Sequence, residues 1–234
     1  MFDLIGILYS PGEFIRRRLS KPLGYKFPFG IVLVAALAGM LANLMAGEKW
    51  FGRLMEQMPA NAPEGTEASL KMVKVGFILQ DVFGALEPPL MWVLGAGILT
   101  CMSILLEGEG EFRKLLELTG YTYLAPMLFG LVAILFATTW TPRFEISSPD
   151  PKARPEIFRE RVAVAIRGEV QATNFKFLTL LKWASIGWMA VMQVMALKAT
   201  SKLSYPKSVA CFAVFGLLYF ISQVVRSAMS AGGI

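Results

Sequence analysis

The sequence predicts an all-α, polytopic membrane protein: a five-transmembrane-helix bundle with short interfacial amphipathic helices. The main observation is a set of five uncharged apolar stretches in the 234-residue chain, Phe27–Gly47, Pro88–Leu106, Leu118–Pro142, Trp183–Leu197 and Ser208–Val225. A hydrocarbon core about 30 Å thick needs roughly 20 apolar residues at about 1.5 Å rise each. The second is charge: 17% of the residues are charged and 55% hydrophobic, against about 25% charged in an average soluble domain. The third is a mean hydropathy of +0.55. No linker separates independent halves, so the chain divides only into an N-terminal interfacial segment, 1–26, and a transmembrane domain, 27–234.

The N-terminal segment is not a secretory signal, because its basic cluster Arg16–Arg18 follows the short apolar run instead of preceding it. Ser10-Pro11-Gly12-Glu13 reads as a helix start, with Ser10 as cap, Pro11 at the first position and Glu13 at the capping-box position. The helix this predicts over Pro11–Ser20 places Phe14, Ile15 and Leu19 against lipid and the arginines at the headgroups. The first span covers about 27–47. Its loop, Glu48–Glu87, holds a turn region at Met58–Thr66, and helix resumes from Ala68 toward Gly84.

Pro88-Pro89 removes two backbone donors, which predicts a kink or a fresh helix start at the second span, about 88–106. Asp81 and Glu87 stand just outside that run, near a helix N-terminus where acids are favoured. The third span, about 118–142, follows a short loop of mixed charge, Glu107–Glu117. After it come a Pro-rich link, Ser147–Pro155, and an amphipathic helix with Phe158, Val162 and Ile166 on one face. The fourth span, about 177–197, is long enough only if Lys182 snorkels to the interface. The fifth covers about 208–225.

The net charge of +6 would suggest nucleic acid in a soluble protein, but here the basic residues flank apolar segments, where they set topology and meet anionic headgroups. No nucleic-acid partner is expected. Arg16, Arg17, Arg18, Lys21 and Lys26 in the N-terminal segment, with Lys198, Lys202 and Lys207 in the short fourth loop, outweigh the single Arg226 of the C-terminal tail. That balance places the N-terminus in the cytoplasm and the C-terminus outside.

There is no histidine. The commonest metal ligand and general base are therefore missing, and no catalytic residue, cofactor site or metal site is expected. Cys101 and Cys211 lie inside apolar stretches, where cysteine acts as a small hydrophobe. Met189, Met192 and Met195 recur every three residues, a packing stripe rather than a copper site, since no Cys or His stands beside them. Within the spans the candidate polar contacts are Asn43, Lys182, Gln193 and Gln223, each expected to face a neighbouring helix or, for Lys182, the interface. Small residues at Ala35 and Gly39, and at Gly95-Ala96-Gly97, predict close helix approach.

Gly108-Glu-Gly110-Glu-Phe112-Arg-Lys114 followed by Gly120-Tyr121-Thr-Tyr-Leu-Ala-Pro126 resembles the signature of the Yip (Ypt-interacting protein) domain family. The N-terminal Ser-Pro-Gly-Glu-Phe with its basic run is similar to bacterial members. The resemblance implies a five-span membrane protein and makes Gly110, Phe112, Lys114, Gly120, Tyr121 and Pro126 the family-motif residues. Physical chemistry gives several of them a packing role. Gly120 lets helices approach, Tyr121 and Tyr123 suit a membrane boundary, and Pro126 frees a carbonyl one turn earlier and bends the span.

Eukaryotic members are associated with small GTPases through a long cytosolic tail, and the short N-terminal segment here argues against such a partner. Two readings follow. The first is a non-enzymatic scaffold or accessory subunit in a bacterial inner membrane, whose partners are the bilayer and another membrane protein or further copies of itself. The second is a transporter or channel component for a lipid or small molecule, as an accessory to an ABC exporter would be; kinked and broken helices favour it.

Overall fold

The computed structural model describes residues 4–57, 66–142 and 173–231, and they are almost entirely α-helical. In chain order the helices are α1 (Leu4–Tyr9), α2 (Pro11–Leu19), α3 (Lys26–Glu56), α4 (Thr66–Gly84), α5 (Glu87–Leu105), α6 (Phe112–Tyr121), α7 (Leu124–Thr139), α8 (Thr173–Ser201) and α9 (Tyr205–Ala231). Four segments are long and apolar enough to cross a membrane: Lys26–Glu56, Leu70–Leu105, Phe112–Thr139 and Lys176–Ser201. Each overlaps one of the first four apolar stretches, the second starting well before residue 88. The fifth falls in α9, whose described apolar part, Tyr205–Leu217, is shorter. The expected Pro-rich link 147–155 and the helix carrying Phe158, Val162 and Ile166 lie outside the described residues, as does most of the 58–66 turn.

Local sequence explains the boundaries. Helix resumes at Thr66 and stops at Gly84, close to the predicted 68–84. Ala85-Leu86 forms a turn, and α5 starts afresh with Glu87, Pro88 and Pro89 in its first turn. There the missing proline donors cost nothing and the acid faces the positive end of the helix. Pro11 occupies the first position of α2 as expected, whereas Ser10 makes no side-chain cap and Phe14 N–H bonds its backbone carbonyl instead, at 3.1 Å.

The third span begins earlier than the expected 118. Helix starts at Phe112, and Glu117 lies buried inside it, 3% exposed. The sequence reading ended the loop at the last charge, but this charge is neutralised by a partner and does not interrupt the helix. Pro126 acts where it should. Its ring excludes the carbonyl of residue 122 from a regular helix, and the chain turns at Thr122-Tyr123 between α6 and α7, with short i to i−3 bonds, Thr122 N–H to Thr119 at 3.1 Å and Tyr123 N–H to Gly120 at 3.3 Å.

The described residues form two compact units. The first comprises residues 4–34, 88–125 and 186–231. Its core holds Ile15, Leu99, Leu115, Leu118, Ala196, Leu197, Leu203 and Cys211, with Phe14, Leu19, Met195 and Phe215 packed against them. This corrects the expectation that Phe14, Ile15 and Leu19 face lipid. Ile15 is 2% exposed, and α2 spends its apolar face on protein. Gly95 packs under the Phe215 ring, 3.1 Å from where a Cβ would stand, as the Gly95–Gly97 pattern predicts.

The second unit comprises residues 35–57, 66–87, 126–142 and 173–185. In it Gly130 of α7 meets α3 at Ala38 and Gly39, where a Cβ would stand 2.9 Å from the Ala38 methyl. Gly47 lies beneath the Phe77 ring of α4, which also packs edge-on against Phe51 at 5.8 Å. Lys49 Nζ donates to the carbonyls of Thr138 at 2.8 Å and Trp140 at 2.6 Å, so a lysine of α3 caps the C-terminal carbonyls of α7. Around both units large apolar side chains such as Leu37, Leu41, Leu94 and Leu135 stay exposed, as fits a surface solvated by lipid tails.

Candidate functional site

The signature residues from Gly108 to Tyr121 lie in the first unit, in a clasp built from the α5–α6 loop, α6, α2 and the α8–α9 loop, whereas Pro126 belongs to the second. The loop starts with a helix end of Schellman type. Gly108 N–H reaches the Ser103 carbonyl at 2.8 Å and Glu107 N–H the Ile104 carbonyl at 3.0 Å. Glu107 sits at φ 65°, where glycine is the usual residue. Glu107→Gly is therefore expected to stabilise the protein by about 0.5–1 kcal/mol, read as a higher melting temperature in detergent.

Two close approaches explain the glycines that follow. A Cβ on Gly108 would stand 2.8 Å from the Leu203 side chain and 2.9 Å from the Ser201 carbonyl, and one on Gly110 2.5 Å from Ile104. That proximity lets Glu109 N–H donate to the Ser201 carbonyl at 2.9 Å, satisfying an orphan acceptor at the end of α8. Lys202 Nζ donates to Glu109 at 2.6 Å, and Lys207 Nζ to the Leu106 carbonyl at 3.0 Å.

The Glu109 hydrogen bond raises the Lys202 pKa above its ordinary 10.5. A raised lysine contributes its stability fully below the unfolded-state value and loses it as pH rises through the folded-state value. The tie is thus intact at neutral pH, and Lys202→Gln is expected to change stability equally at every pH from neutral to about 9, converging on wild type only in strong alkali. Thermal unfolding across that range checks it.

α6 presents one face to the core and carries the centre of the clasp. Trp92 Nε1–H donates to the Leu116 carbonyl at 2.7 Å. Gly120 lies against Pro28 and the same indole, with Cβ distances of 2.5 and 3.1 Å. Tyr121 is fully buried, edge-on to Phe14 at 5.0 Å and beside Phe27 at 5.9 Å. Both tyrosines expected at a membrane boundary are buried in protein, Tyr121 under the apolar rings of Phe14 and Phe27.

Beneath Tyr121, Glu117 accepts from both Nε and Nη2 of Arg18, and Arg18 Nη2 also donates to the Pro22 carbonyl at 3.0 Å. The pair is 13% and 4% exposed at its side chains. Sequence reasoning placed Arg18 at the headgroups and Glu117 in a loop. One signal could have found them: an acid set within Leu115-Leu116-Glu117-Leu118 must either face water or have a buried cation.

The remaining predicted residues are scattered. Phe112 is partly exposed at the start of α6, and Lys114 pairs with Glu111 at 2.5 Å. Asn43, in the second unit, donates to Asp81 at 3.4 Å, the cross-helix contact expected of it. Lys182 is exposed, as snorkelling requires. Gln193 is 6% exposed with its side-chain oxygen unpartnered. The side chain of Gln223 lies outside the described residues. Met192 is buried and Met195 packs on the core, so the methionine stripe is a packing face. Both cysteines are free thiols, Cys211 buried and Cys101 exposed.

What this arrangement does is mechanical. Its glycines are at closest approach, Arg18 and Glu117 are paired and Tyr121 packs with Phe14 and Phe27, so these residues join an N-terminal helix to two loops. No solved structure matches the chain. An uncharacterized protein of the archaeon Methanocaldococcus jannaschii is similar, 24% identical over 137 residues that cover 58% of this chain and 89% of the relative. The model of the Yip1 domain matches residues 5–226, a range that takes in the clasp and nearly all of both units. The chain belongs to the Yip1 domain family of membrane proteins.

Proposed function

We propose that this protein is a non-enzymatic scaffold or accessory subunit that holds another membrane complex together. The observation that carries the reading is the use made of the family signature. Gly108, Gly110 and Gly120 leave no room even for a methyl group, so these glycines of the signature serve to bring chain segments into contact. The other conspicuous polar groups are likewise spent on structure: Lys49 caps a helix and Asn43 bonds Asp81. Helical units with wide apolar flanks offer surface rather than chemistry.

The protein sits in the bacterial inner membrane with its N-terminus in the cytoplasm and its C-terminus outside. A C-terminal reporter active only in the cytoplasm would overturn that orientation. The functional test is affinity purification in mild detergent. A membrane protein recovered in stoichiometric amount supports the scaffold. Recovery of a homo-oligomer that moves a lipid or small solute across liposomes would establish the transporter reading instead.

A further inference from the structure

The clasp has an outer side that its mechanical role does not use. Arg18, Leu19, Lys21, Leu23, Lys114 and Glu117 line a small cleft where the 20–25 connection crosses α6. Its charge is lopsided. Arg18 and Glu117 cancel each other within hydrogen-bond contact, Lys114 is shared with Glu111, and Lys21 makes no ion pair among the described residues. Arg16 and Lys26 are exposed nearby in sequence, and Arg113 is exposed on the turn of α6 whose backbone carbonyl accepts from the Tyr25 hydroxyl at 3.4 Å. The cleft is part-open and shallow, with room at its floor for a water-sized group such as one phosphate oxygen.

The position of the cleft says what kind of anion reaches it. The connection ends at Lys26, the first residue of the first spanning helix, so the cleft lies at the end of a span, where headgroups are. Leu23 is 43% exposed on its edge and Phe29, one turn into the span, is 50% exposed. An anion bearing acyl chains has both halves of a site here, lysines for its phosphate and an apolar strip for its chains. A soluble phosphate has only the first.

We infer that the cleft between the 20–25 connection and α6 binds the phosphate of an anionic phospholipid, held by Lys21 and Lys114 against the fixed wall of Arg18. Occupancy ties the α2 end of the clasp to one leaflet and stiffens it there.

Native mass spectrometry of the whole protein in a neutral detergent tests this, with phosphatidylglycerol, phosphatidylcholine and inorganic phosphate titrated separately. One phosphatidylglycerol adduct is expected, at least about tenfold tighter than phosphatidylcholine, with no adduct from phosphate at the same concentration. The Lys21→Gln/Lys114→Gln double variant loses that preference. Lys202→Gln/Lys207→Gln, which removes the same charge from the other loop, keeps it. The Lys21→Gln/Lys114→Gln variant should retain the wild-type melting temperature to within a few degrees, since both lysines are at least partly exposed, whereas Lys202→Gln/Lys207→Gln lowers it by breaking the ties to Glu109 and the Leu106 carbonyl and still binds the lipid. Equal losses in the two double variants would show a diffuse field and overturn the site. Phosphate binding as tight as the lipid would overturn the lipid assignment, as would retention by the two lysines of an acidic protein segment with no lipid.

Discussion

Glu117→Ala is expected to be the most damaging single substitution in the described structure, at about 3–5 kcal/mol. It would leave the Arg18 guanidinium, 13% exposed, without its anion, though still bonded to the Pro22 carbonyl. The loss comes from an uncompensated buried charge more than from the missing attraction, and that distinction is measurable. Replacing both partners with apolar residues of similar size, Arg18→Met with Glu117→Leu, should return most of the stability, because desolvation of two ions roughly offsets their attraction. Melting temperatures of the two single variants and the double variant in one detergent form the cycle. A double variant as unstable as Glu117→Ala would mean that the pair is needed for a contact beyond its own charges.

The second large effect is expected at Gly120. Gly120→Ala puts a methyl 2.5 Å from Pro28 Cβ and 3.1 Å from the Trp92 ring. Neither neighbour yields easily: Pro28 is fixed by its ring, and Trp92 is held by its bond to the Leu116 carbonyl. Overpacking of this kind costs about 1–3 kcal/mol. Gly187→Ala is the control, a helical glycine with open space where its Cβ would stand. It should stabilise by a few tenths of a kcal/mol up to about 1, through helix propensity and a less flexible unfolded chain. If the two alanines behaved alike, Gly120 would not be the point of contact between α6 and the start of α3.

Much of this was legible in the chain before any contact was known, for identifiable reasons. Apolar length marks a spanning helix because hydrocarbon offers nothing to an unbonded backbone group, and four helical segments long and apolar enough to span overlap the apolar stretches of the sequence. Pro88-Pro89 and Pro126 act within one turn of themselves, so the helix start at Glu87 and the break at Thr122-Tyr123 follow from covalent structure alone. The glycines of the α5–α6 loop were recognisable as a pattern, although the atoms they make room for, in Leu203, Ser201 and Ile104, were not.

What sequence could not decide was where a charge or an amphipathic helix finds its partner. α2 has an apolar face in any reading, but whether that face meets lipid or protein depends on chain 80 to 200 residues away, and only the folded structure brings Leu99, Leu115 and Leu197 to Ile15. Glu117 looked like the end of a loop because a lone acid is costly in a membrane helix, and Arg18, 99 residues earlier, removes that cost. Tyr121 looked like an interface residue until Phe14 and Phe27 closed over it. The membrane class, the positions of the helices and their breaks are properties of short stretches of chain. The clasp is a property of long-range pairing, set by which distant groups neutralise and bury one another.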